Sequence, residues 1–63
     1  MMLREIRRAK GWSQTELAYR LDCDQSIISR IERGERSVTL ERLRSIAAAL
    51  EVPLSALIAD EVA

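Results

Sequence analysis

The chain has no histidine and no phenylalanine, and among its 63 residues only one cysteine, one proline, one tryptophan and one tyrosine. Without histidine a His-based catalytic triad is excluded, and the lone Cys23 allows neither a zinc site nor an internal disulfide. No other pairing of nucleophile and base stands out, so the expectation is a protein that is not an enzyme and needs no cofactor. No apolar run approaches membrane length. Arg4, Arg7, Arg8 and Lys10 are interleaved with Glu5 and no apolar segment follows them, so no signal peptide is read and the cytoplasm is the expected compartment. Net charge is missing too, with ten basic side chains against ten acidic ones.

What remains is aliphatic. Apolar residues make up 48% of the chain, and with so few rings the core must be built from Leu, Ile, Val and Ala. A chain this short cannot form two cores and buries only about 60% of its unfolded surface, so residues 1 to 63 are read as a single domain of modest stability. The expected fold class is all-α, a compact bundle of five helices. Leu3 and Ile6 mark the inner stripe of a first helix that Gly11 closes. Ser13 then caps a second helix, with Glu16 three residues on as the partner in a capping box. Asp24 caps a third helix, which Gly34 ends. Val38 or Thr39 opens a fourth, with Leu40, Leu43, Ile46, Ala47 and Leu50 turned inward, and Pro53 stands where a fifth would start.

Residues 14 to 33, QTELAYRLDCDQSIISRIER, carry the most information. Leu17, Ala18 and Leu21 share one face of a 3.6-residue period, and Ala18 is small enough for a close helix crossing. Ile28 and Ile31 supply the matching face of the next helix. The break Asp22-Cys23-Asp24 offers a residue tolerant of left-handed backbone, a small apolar residue and a good N-cap. Two helices this short must share a core, which is the geometry that presents the second helix to a DNA major groove.

With LREIRRAKGWSQTELAYRL before the turn, IISRIERGER after it and SVTLERLRSIAAALEVPLSALI beyond, residues 3 to 58 resemble the lambda-repressor/Cro-like, or XRE, helix-turn-helix family. Asp22 departs from the pattern, since the family usually has glycine in the turn. The resemblance implies a five-helix DNA-binding domain and a sequence-specific transcriptional regulator. It also implies roles at matching positions. Gln14 matches a glutamine that grips phosphate and buttresses the first side chain of the recognition helix. Arg7 and Glu32 match a partly buried salt bridge between the first and third helices.

Charge is distributed in keeping with that reading. Residues 1 to 36 hold eight basic side chains against six acidic ones, and residues 37 to 63 hold two against four. Helix N-termini at Ser13, Asp24 and Thr39 add partial positive charge suited to phosphate. On the recognition helix, at about 100° per residue, Ser26, Ser29, Arg30 and Arg33 face away from Ile28 and Ile31. Gln25 flanks that face in the first turn, and its amide can pair with adenine, as Arg30 can with guanine. The base readers are therefore expected to be Gln25, Ser26, Ser29 and Arg30. The phosphate contacts are expected from Gln14, Arg33, Arg36 and Thr39. Ile27 lies at the boundary and fits either a thymine methyl or the core. Cys23, open to a redox reading, fits better as an inert thiol in the motif's small apolar slot. Trp12, which could stack on a base, fits better as core between the first two helices, and Tyr19 fits the surface.

After Pro53, Leu54 and Leu57 can cover the fourth helix at Leu50, but Ile58 and Val62 extend the apolar stripe past what one small core can use, which marks an interface. A homodimer through Leu57, Ile58 and Val62 would set two recognition helices about 34 Å apart, matching a near-palindromic operator on double-stranded DNA. The alternative is an antitoxin-type interaction module whose partner is another protein.

Overall fold

A computed structural model describes residues 1 to 35 and 38 to 59. Among these residues five α-helices follow in order: α1 Leu3–Ala9, α2 Gln14–Arg20, α3 Gln25–Glu32, α4 Leu40–Leu50 and α5 Leu54–Leu57. Among the described residues there are no strands, and no helix is long and apolar enough to cross a membrane. The core is wholly aliphatic, as the composition requires, with Leu3, Leu17, Ile28, Ile46, Leu50 and Leu57 fully buried around Ala18, Ile31 and Ala47.

One device ends all four of the longer helices. The amide two residues past the last turn reaches back across it, as Trp12 to the Arg7 carbonyl (3.2 Å), Cys23 to Ala18 (3.0 Å), Glu35 to Arg30 (3.2 Å) and Val52 to Ala47 (3.0 Å). Each such reversal needs one residue in left-handed backbone. Gly11 (φ 76°) and Gly34 (φ 86°) fill two of the positions, and Asp22 (φ 54°) and Glu51 (φ 58°) fill the others. Asp22 thus occupies the conformation its place in the turn demands, with a short polar side chain that tolerates it. Glu51 lacks that advantage, and nothing in its type pointed to the turn it makes.

At the opposite ends, Ser13 Oγ accepts from the Glu16 amide at 3.0 Å and Thr39 Oγ1 from the Arg42 amide at 3.1 Å. The capping box is only half formed, because the Glu16 carboxylate turns instead to Arg20 Nε at 2.8 Å. Asp24 stands at the N-cap of α3 in extended backbone, but its side chain accepts no capping hydrogen bond.

Leu40 corrects the expected stripe of α4. It is 52% exposed, because it occupies the first turn at the edge of the apolar face and the buried part of the helix begins only at Ile46. Leu57 corrects the expected interface. It is 0% exposed within the single chain, so its side chain is already spent on the chain's own core. α5 is docked from both sides of that residue, since the Leu57 carbonyl also accepts the Met2 amide at 2.8 Å. Ile58 is half-buried and packs against the core, and Val62 lies outside the described residues. Trp12 also packs half-buried on the core, and its ring is covered by the Arg20 guanidinium at 4.0 Å, a cation–π contact. Cys23 is half-buried with a free thiol, and Tyr19 is 81% exposed.

Candidate nucleic-acid interface

α3 is anchored by its inner face and open along its outer one. Ile28 and Ile31 are buried, Ile27 is half-buried against the core, and Gln25, Ser26, Arg30 and Arg33 are exposed, with Ser29 partly covered. The 3.6-residue period alone produces this division, because the short turn after α2 forces the apolar stripe of α3 onto Leu17 and Ala18.

A charged contact also fixes α3 in place. The Glu32 side chain is 0% exposed and takes hydrogen bonds from three residues. Arg7 donates from Nε at 2.7 Å and from Nη2 at 3.2 Å, Gln14 from Nε2 at 2.9 Å and Arg4 from Nε at 3.3 Å. Arg7 is itself buried, and its third contact is the Trp12 carbonyl, reached by Nη1 at 2.7 Å. Burial pushes the Glu32 carboxyl up, but the hydrogen bonds from Arg7, Gln14 and Arg4 outweigh it and hold the group below the ordinary glutamate range. The pair is thus an ionised strut between α1 and α3, closed at its other edge by α2. Arg4 was not singled out from the sequence, although its i,i+3 relation to Arg7 puts both on one face of α1.

The strut continues to the surface. Gln14 Oε1 accepts from Gln25 Nε2 at 2.6 Å, so the first side chain of α3 is held by the first side chain of α2. Arg33 lies back along its own helix, donating to Ser29 Oγ at 3.1 Å and pairing with Glu35 at 3.4 Å. Ser29 is therefore engaged with Arg33. Arg30 has no ion pair among the described residues and lines a groove of about 240 Å³ with Ile27, Ile31, Glu35, Val38, Thr39 and Arg42. Thr39 thus lines the same groove as Arg30, and its Oγ1 accepts the capping hydrogen bond of α4. Arg42 also lines this groove, and sequence reasoning missed it; its cue is the position three residues past the capping Thr39. Arg36 lies outside the described residues.

A short helix laid across another by a tight turn, its outer face carrying a braced amide and a guanidinium without an ion pair among the described residues, defines a helix-turn-helix nucleic-acid interface. The helix-turn-helix family profile matches residues 3–57. The chain belongs to the lambda-repressor/Cro-like, or XRE, family of DNA-binding helix-turn-helix proteins. It is 38% identical over 56 residues to the HTH-type transcriptional regulator SutR of Escherichia coli (strain K12), a match covering 89% of this chain and 32% of the regulator. It is 39% identical over 59 residues to the control protein C.MunI of Mycoplasma sp, covering 92% of this chain and 80% of that protein. With the control protein C.BamHI of Bacillus amyloliquefaciens the identity is 43% over 51 residues, covering 79% of this chain and 63% of that protein.

Proposed function

We propose that the chain is a cytoplasmic, sequence-specific transcriptional regulator that occupies a near-palindromic operator on double-stranded DNA as a homodimer and performs no chemistry there. The observation that carries this reading is the outer face of α3, where Gln25 is braced by Gln14 while Arg30 has no ion pair among the described residues. A braced amide loses little freedom on meeting a base edge, and a free guanidinium gives up no existing ion pair when it meets guanine. Gln25, Ser26, Ser29 and Arg30 read bases in this scheme. Gln14, Arg33, Arg36 and Thr39 hold phosphates. The names of the relatives, a transcriptional regulator and two control proteins, support the same function.

The division of labour is testable on any operator the protein selects. Arg30→Ala is expected to weaken specific binding by about 1–3 kcal/mol and to relax preference at one base pair per half-site. Arg33→Ala is expected to weaken binding to all sequences alike and to reduce the salt slope by about 1. Binding titrations across an operator-variant panel and a salt series separate them, and identical profiles would remove the distinction.

Dimerisation falls to Ile58 and Val62 in this proposal, because Leu57 is used within the protomer. Two copies also double the arginine contacts, which answers the lack of net charge. Ile58→Glu is expected to convert dimer to monomer in sedimentation, with a helical spectrum retained and cooperative operator binding lost. A wild-type chain that stays monomeric at high concentration, both free and on its operator, would overturn the dimer.

A further inference from the structure

We propose that Glu32 determines which base Gln25 selects, by fixing the polarity of two side-chain amides in series. This rests on the base-reading role proposed for Gln25. An ionised carboxylate only accepts hydrogen bonds, whereas an amide has an accepting oxygen on one side and a donating nitrogen on the other. Glu32 is held ionised by Arg7 and Arg4, so Gln14 meets it with Nε2, at 2.9 Å. That turns Gln14 Oε1 outward, and Gln25 meets it with its own Nε2, at 2.6 Å. Reversing the second amide would require reversing the first, which would set the Gln14 oxygen against a buried carboxylate. With the Glu32 side chain 0% exposed, water does little to offset that repulsion.

The consequence lies at the free end of the chain of amides. Gln25 is left with Oε1 and one N–H, an acceptor beside a donor. Adenine presents N6–H and N7 in the major groove, a donor beside an acceptor, and guanine presents two acceptors, O6 and N7. In the fixed polarity Gln25 matches adenine and sets its oxygen against guanine O6. In the reversed polarity it would offer N–H donors and suit guanine. Glu32 touches no base in this arrangement; it is a positioning residue that works through Gln14, and the strut between α1 and α3 doubles as a specificity element.

The test is base preference at the position Gln25 reads, located as the pair whose preference is lost in Gln25→Ala. Duplexes carrying each of the four bases there are titrated with the wild-type protein and with Glu32→Gln, whose amide can donate or accept and so frees Gln14 to turn over. The wild type is expected to favour adenine over guanine by about ten-fold or more. In Glu32→Gln that ratio is expected to fall within about three-fold, with the preference at the Arg30 position retained. If Glu32→Gln is unfolded by circular dichroism, Gln14→Met takes its place, since it leaves the Arg7–Glu32 pair intact and breaks the relay; the same fall in the adenine-to-guanine ratio is expected, on top of a loss common to all four duplexes from the phosphate contact proposed for Gln14. A folded variant that loses affinity for all four duplexes equally, keeping the adenine preference, overturns the inference, as does a wild type that prefers guanine. A wild type with no base preference anywhere would instead overturn the base-reading proposal on which this one stands.

Discussion

Glu32→Ala is expected to destabilise the domain by about 3–5 kcal/mol, because it leaves the buried Arg7 guanidinium without its counter-charge. For a domain of this size that is a large part of a total stability of about 3–9 kcal/mol, so the variant should melt well below the wild type. Glu35→Ala is the control. Its carboxylate is exposed and, among the described residues, meets Arg33 at 3.4 Å, so its effect should stay within about 0.5 kcal/mol. The contribution of Glu32 also carries a pH signature. Its carboxyl is held below the ordinary glutamate range, so its stabilisation is complete above that range and is lost as the pH falls through the lowered value. Melts of the two variants and the wild type at neutral and acid pH check both points. The gap between wild type and Glu32→Ala should narrow on acidification, and equal midpoints for the two alanine variants would remove the strut from the account.

The second large effect is expected at Leu57. Cutting it to alanine removes a fully buried side chain and should cost about 2–5 kcal/mol. A helix of four residues has no stability of its own. α5 therefore stays in place through Leu57 and the hydrogen bond from Met2, and loosening one loosens the seat of the other. Urea unfolding followed by far-UV circular dichroism measures the loss. A Leu57→Ala protein with wild-type stability and a weakened dimer would show that this residue belongs to an interface after all.

Leu57 and Ile58 also show where sequence reasoning reached its limit. Periodicity identifies the stripe after Pro53, but neighbours in a stripe differ in how deeply the tertiary fold covers them, and only packing against α4 and the chain start decides that. Leu40 failed for the same reason in the other direction: it has the right spacing but stays half exposed. The motif itself was legible because its signals are local, from the cap at Ser13 to the left-handed Asp22 and the inward Ile28 and Ile31. Glu51 takes the same backbone conformation as Gly34 with no residue-type cue at all. Of the interface, the resemblance to the family supplied the Arg7–Glu32 pair and the contact between Gln14 and Gln25. It did not supply their connection, because joining them requires knowing that the Gln14 amide faces Glu32 on one side and Gln25 on the other.

The central claim is that the outer face of α3 reads a DNA sequence, and selection from random double-stranded DNA tests it most directly. Bound fractions recovered from mobility-shift gels over successive rounds are expected to converge on two inverted half-sites with centres about one helical turn apart, and Gln25→Ala and Arg30→Ala should each erase preference at a different pair within the half-site. A wild-type protein that retains DNA through every round without enriching any motif, or that enriches one unchanged by both substitutions, would contradict it.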